Sequence, residues 1–287
     1  MPTTVQTFAD KKHRGEKIAV ITAYDALTAA MVHAAGIDAI LVGDSASMVF
    51  AGYETTLPIT MEAMLYHTSC VRRGAKGAFV IADMPFMSYQ AGHDEAVRNA
   101  GRFLKEAGAN AVKLEGADQE LVERLTRTGI PVMGHLGLLP QSVNAIGGYK
   151  AQGKTASSAA TILRDAVALD GAGCFSIVLE CVPTPLASEI TKSVRAATIG
   201  IGAGPHCDGQ VSVINDVLGL STGYLPKHAK RYAAFYDEGL EAVRTHVEEI
   251  REAKFPGPEH EVGGAPKRAE ASPVDHRSTA TPAQPEE

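Results

Sequence analysis

The sequence predicts a (β/α)8 TIM barrel, and three observations carry that reading. Short apolar runs recur along the chain with helical patterns between them. Four of those runs close on an acid: Ala39 to Asp44, Ala78 to Asp83, Ala111 to Glu115 and Ser176 to Glu180. No long antiparallel section interrupts the alternation, and eight such signals favour a closed barrel over the alternative, an open doubly wound sheet.

Taken in order, Thr4 to Lys17 reads as a polar N-terminal helix packing beside the main domain. Lys17 to Asp25 reads as strand one, followed by an Ala-rich helix from Ala26 to Ala35 and a stop at Gly36. Strand two is Asp38 to Asp44. The loop from Ser45 to Pro58 is longer than a connection requires, and a helix resumes near Thr60. Strand three is Gly77 to Asp83, with a helix from Asp94 to Gly108; strand four is Asn110 to Glu115, with a helix from Gln119 to Thr128. Strand five is Ile130 to His135.

A second long loop, Leu136 to Lys154, is dense in glycine, as loops that close over a ligand are. A helix follows from Ala156 to Asp170, then strand six from Cys174 to Glu180 and a helix from Thr184 to Ala196. Strand seven is Thr198 to Ile201, ending in Gly202-Ala203-Gly204, and strand eight is Gln210 to Ile214. A helical stretch then runs from Lys227 to Ala253. Residues 1–262 therefore form one catalytic domain with an N-terminal helical extension. Residues 263–287, rich in Pro, Glu, Ser and Thr, form a disordered tail that cannot build a core.

Composition fits one large core. The 287 residues are 45% apolar and 21% charged, and α/β barrels commonly reach about 200–250 residues as a single domain. A net charge of −6 with scattered Lys and Arg argues against nucleic acid as a partner. Cys70, Cys174, Cys181 and Cys207 form no CxxC pair, which with the lack of a secretory pattern predicts reduced thiols and a cytoplasmic setting. No apolar run approaches the ~18 residues of a membrane span.

In a barrel the C-terminal strand ends share one mouth, so Asp44, Asp83, Glu115, His135 and Glu180 should converge there. Two acids with open positions beside them suit Mg2+, and Asp44 and Asp83 are the candidate ligands. Singly, each acid has an ordinary alternative, Asp44 as a cap and Asp83 as an acceptor of backbone hydrogen bonds at a turn; repetition at successive strand ends favours the metal. Glu180 follows Val178-Leu179 and precedes Cys181-Val182-Pro183, and such apolar company raises a carboxyl pKa, as suits a base. Lys113 and Glu115 share a strand face by the period-2 rule. Lys113 can bind an anionic group and Glu115 can orient metal-bound water. For His135 two readings stand: orienting a substrate oxygen, or capping a turn.

Longer motifs add a resemblance. ITAYDA at Ile21 to Ala26, LVGDS at Leu41 to Ser45, TLPIT at Thr56 to Thr60, YHTSCVRRGA at Tyr66 to Ala75 and ADMPFMSY at Ala82 to Tyr89 stand in order, followed by VKLEG, GHLGLLPQSVNAIGGYKAQGKT, LECVP and IGIGAG. Across Thr4 to Glu261 the chain resembles the ketopantoate hydroxymethyltransferase family. The resemblance implies a (β/α)8 barrel, a Mg2+ site, a homo-oligomer that is typically a decamer, and small-molecule substrates. It implies transfer of a one-carbon unit from 5,10-methylenetetrahydrofolate to 3-methyl-2-oxobutanoate, giving 2-dehydropantoate through a Mg-stabilised enolate. Carried over by position, the metal ligands fall on Asp44 and Asp83 with Glu115 near a metal-bound water, the substrate contacts on Ser45 and Lys113 with His135 nearby, and the base on Glu180. Ala46-Ser47 and Asn215 depart from the Leu-Gly and His common in the family. A Mg2+-dependent C–C lyase or phosphoryl mutase of the related enolate-forming barrels is the alternative, though no KKCGH-type cysteine loop is present.

Overall fold

The structure, a computed structural model, describes residues 2–223 and 225–263. The expected tail lies outside the described residues apart from Gly263. Eight parallel strands close into a barrel in sequence order: β1 (Ile18–Thr22), β2 (Ala39–Val42), β3 (Phe79–Asp83), β4 (Ala111–Glu115), β5 (Val132–Gly137), β6 (Ser176–Glu180), β7 (Ala197–Ile201) and β8 (Gly209–Ser212). The predicted fold class is therefore the observed one. Closure runs through β1 and β8, where Ile18 pairs with Gly209 and Ile21 with Ser212. Only glycine fits at 209, because a Cβ there would stand 2.3 Å from the Ile18 carbonyl oxygen.

Helices α1 (Val5–Arg14), α2 (Ala26–Ala34), α3 (Ala46–Val49), α4 (Met61–Gly74), α5 (His93–Lys105) and α6 (Gln119–Arg127) occupy the first half. The second half adds α7 (Val143–Ile146), α8 (Ala156–Gly171), α9 (Thr184–Ser193), α10 (Ile214–Leu218) and α11 (Phe235–Arg251). The first compact unit ends at Tyr236 and a second begins at Asp237. Within the second, the Phe255 ring lies 5.1 Å from that of His246 and 5.0 Å from that of His260.

Alternation along the strands divides the core. Leu41, Phe79, Ile81, Met133, Val178 and Ile199 fill the barrel interior, while Ile40, Val42, Val80, Val112, Leu114 and Ile177 pack outward under the helices. Both faces are buried, which is why the strands read as continuous apolar runs. α1 does more than pack beside the barrel. Its Phe8 is 1% exposed, with its ring 5.7 Å from Phe79 and 5.1 Å from Phe175, at the end where the strands begin.

Boundaries shift where side chains intervene. β1 stops at Thr22, because the Asp25 carboxylate caps α2 by accepting from Leu27 N and Thr28 N. The loop expected from Ser45 contains α3, and the loop after β5 holds a 3-10 turn at Pro140–Ser142 and then α7. The last helix starts at Phe235 rather than near Lys227. Tyr232 N donates to Val217 O and Tyr236 N to Gly219 O, holding the approaching chain against α10.

Candidate active site

The period that sends Leu41, Ile81 and Val178 inward also carries Asp83, Lys113, Glu115, His135 and Glu180 to the C-terminal mouth. Asp44 and Ser45 follow directly on β2. All seven line one cavity of about 570 Å3. The expected constellation is thus brought together in full.

Lys113 Nζ lies 2.5 Å from Asp83 Oδ1, both side chains buried. Burial alone would lower the lysine pKa, but Asp83, Asp44 and Glu115 outweigh it and hold the ammonium firmly charged. The other oxygen of Asp83 accepts from Asp44 N at 3.1 Å, so the backbone-acceptor role open to Asp83 is realised alongside the ion pair. Asp44 caps nothing: α3 begins after Ser45 without a side-chain cap. Gly43 permits this turn, since a Cβ there would stand 2.6 Å from Ser45 Oγ.

Three carboxylates around one lysine leave surplus negative charge out of water. Burial first, then Asp83 and Glu115, pushes the Asp44 carboxyl up to about 8. Glu115 Oε1 is buried with no hydrogen-bond partner. Crowded acids and an orphaned oxygen are what a hard cation relieves, so the residues present fit Mg2+. Among the described residues no three of His, Cys, Asp and Glu form a complete ligand cage. A two-carboxylate site leaves its other positions to water and substrate, as Mg2+ does.

His135 is 2% exposed and caps no turn. Its Nδ1 lies 3.5 Å from Glu115 Oε1 and its Nε2 3.2 Å from Glu180 Oε2, and neither contact is a hydrogen bond. Burial and Lys113 pull the ring pKa down, but the flanking Glu115 and Glu180 prevail and bring it up to about 9. Glu180 sits at the end of β6, its side chain 17% exposed. Gly137, at φ +98°, lets β5 approach so closely that a Cβ there would be 2.2 Å from the Glu180 carbonyl oxygen.

Three residues that hold this site were missed by the sequence reading. Gln141 Nε2 donates to Asp44 Oδ2 and to Met84 O, both at 2.9 Å, while Gln141 N donates to Glu115 Oε2 at 3.0 Å. Tyr89 OH donates to Gln141 Oε1 at 2.7 Å and accepts from Glu115 N at 3.0 Å. Tyr24 OH lies 2.8 Å from Ser45 Oγ. Each stood inside a quoted motif, GHLGLLPQSV, ADMPFMSY or ITAYDA, and a polar residue within a long motif was the available signal.

The ketopantoate hydroxymethyltransferase family model matches residues 2–258. A 3-methyl-2-oxobutanoate hydroxymethyltransferase of Carboxydothermus hydrogenoformans is 54% identical, over 92% of this chain and 96% of its own. The protein of that name from Enterococcus faecalis is 50% identical, over 91% and 95%. Among solved structures, 2,3-dimethylmalate lyase of the PEP mutase/isocitrate lyase superfamily aligns with TM-score 0.55 at 16% identity, covering 90% of each chain. Phosphonopyruvate hydrolase, in a complex with oxalate and Mg++, aligns at 0.58 and 14% over 88% of each. These two establish the barrel alone, so the lyase or mutase alternative has only a shared fold behind it. The identities over nearly the whole length decide the matter: the chain belongs to the ketopantoate hydroxymethyltransferase family.

Proposed function

We propose that the chain transfers a hydroxymethyl group from 5,10-methylenetetrahydrofolate to 3-methyl-2-oxobutanoate, giving 2-dehydropantoate. The observation that carries the reading is the convergence of Asp44, Asp83, Lys113, Glu115, His135 and Glu180 on one cavity of a member of this family. Lys113 and Ser45 bind the carboxylate of the keto acid. Glu180, on the strand end facing them, removes the proton at C3, and the charged His135 beside it stabilises the negative charge that develops on the substrate. Asp44 and Asp83 would hold Mg2+, with Glu115 beside them, and the ion when bound supplies Lewis-acid withdrawal from the keto acid's oxygens. The donor's C–N10 bond opens to leave a methylene iminium on N5, water adds to that carbon and breaks the second C–N bond, and C3 bonds to the one-carbon unit released at the aldehyde level, whose oxygen takes up a proton, giving the hydroxymethyl group and tetrahydrofolate. Gln141 and Tyr89 fix the acids through the bonds described above, so the charge is set before substrate arrives.

Hydrogen–deuterium exchange at C3 of 3-methyl-2-oxobutanoate, with and without Mg2+, tests substrate, metal and base together. Exchange that needs both the protein and Mg2+ is expected, and its absence would sink the reading.

The working form is a cytoplasmic homo-oligomer, a decamer, with small molecules rather than nucleic acid or membrane as partners. Leu27 on α2 and Tyr66 on α4, 85% and 65% exposed, support an interface there. No helix among the described residues is long and apolar enough to cross a membrane. Light scattering on the eluting protein measures the assembly directly; a monomer would refute it.

A further inference from the structure

The cavity has more room and another polar wall than the keto acid uses. Pockets of about 300–1,000 Å3 take ligands of drug size, and at about 570 Å3 this one is far larger than a five-carbon acid. Asp44, Asp83, Glu115 and Glu180 stand at the ends of β2, β3, β4 and β6. In the closed order β8 lies four strands from β4 in either direction, so the segment that follows β8 forms the wall facing Glu115. That wall is apolar at Val211, Val213 and Pro226, and it carries one carboxylate, Asp216 in α10.

Asp216 is half-buried, and among the described residues no hydrogen bond or ion pair reaches its side chain. Burial pushes its carboxyl pKa up, against the pull of His228 and Arg231. His228 and Arg231 attract it without bonding to it, so its oxygens remain free to accept from a ligand's donors. The charges that act on Asp44 are those of Asp83, Glu115 and Lys113, whereas those that act on Asp216 are His228 and Arg231, so Asp216 stands outside the cluster of Asp44 and Asp83, and the keto acid carries no N–H to offer. The other reactant does. A pterin has an N3–H and a 2-amino group side by side on one edge, a donor pair matched to the two oxygens of a carboxylate, and flat apolar faces suited to valine and proline walls.

We propose that Asp216 receives the pyrimidine edge of the pterin, accepting from N3–H and the 2-amino group, and so holds the one-carbon donor on the side of the cavity opposite Glu115. This rests on the function proposed above. Asp216 is a binding residue for the donor and makes no contact with the keto acid.

The test pairs a change in the protein with a change in the ligand. Dissociation constants are measured by calorimetry for tetrahydrofolate and for its 2-desamino-2-methyl analogue, on the wild type and on Asp216→Asn, alongside C3 exchange in the keto acid. Asp216→Asn is expected to weaken tetrahydrofolate about 10- to 100-fold, the range for a charge-assisted hydrogen bond lost. The analogue should lose a similar factor on the wild type, and almost nothing more on the variant, because both changes delete the same contact. Exchange at C3, which involves no folate, should persist in the variant and report an intact barrel. Equal affinity of both proteins for tetrahydrofolate, fully multiplying losses, or loss of C3 exchange in the variant would each overturn the assignment. A wild type that neither exchanges C3 nor binds tetrahydrofolate would instead bring down the parent function.

Discussion

Lys113 and Asp83 form an ion pair of 2.5 Å with side chains 6% and 4% exposed, at the floor of a cavity that holds four more acids. The lysine is the cation that makes this concentration of charge tolerable. Replacing it with an apolar side chain leaves buried carboxylates uncompensated, at about 3–5 kcal/mol. Lys113→Met should therefore unfold at much lower denaturant, and Lys113→Met/Asp83→Asn should recover part of the loss. Chemical denaturation of the two variants checks the order, and a double variant no better than the single would refute the pairing.

Asp44 predicts the opposite sign. Its carboxyl is pushed up to about 8 by burial and by Asp83 and Glu115, so the site is strained without a cation. Asp44→Asn, which can keep an oxygen toward Gln141, should raise the melting temperature in EDTA by ~2–4 °C, about 1 kcal/mol. Mg2+ is expected to stabilise the wild type, and the substitution should abolish that gain. Scanning calorimetry with and without Mg2+ shows both effects; an undiminished Mg2+ response would remove Asp44 from the ligand set.

Glu180→Gln keeps shape and removes the proposed base. C3 exchange should fall by at least ~100-fold, the lower end of general-base contributions, while the keto acid still binds. Exchange at the wild-type rate would assign the proton to another group.

Cys181 supplies a pH signature. It lines the cavity next to Glu180, and burial first, then the Glu180 charge, pushes its thiol up to about 11. Only the thiolate reacts, so alkylation by iodoacetamide should be slow at pH 8 and rise about tenfold per pH unit until near 11. Glu180→Gln removes the charge contribution and should speed labelling at pH 8. Peptide mass spectrometry at Cys181 reads the rate; fast labelling of the wild type at pH 8 would contradict the buried setting.

The acids were legible in sequence because parallel strands buried on both faces leave unbroken apolar runs, and period 2 then fixes which terminal residues face the mouth. Gln141 was not, since its bond to Asp44 joins residues 97 apart and no local pattern encodes it. α3 and α10 are four and five residues long, too short to show a helical period. The late start of α11 depends on Tyr232 and Tyr236 bonding to α10, contacts that exist only once the chain has folded.

The ring of Phe8, wedged against Phe79 and Phe175, closes the end of the barrel where no chemistry occurs. The molecule therefore has one end that can be tightened independently of the other. Cavity-filling or rigidifying changes around Phe8 can harden the scaffold while leaving the residues of the mouth untouched. For thermostable or immobilised forms of this catalyst, that closed end is the handle.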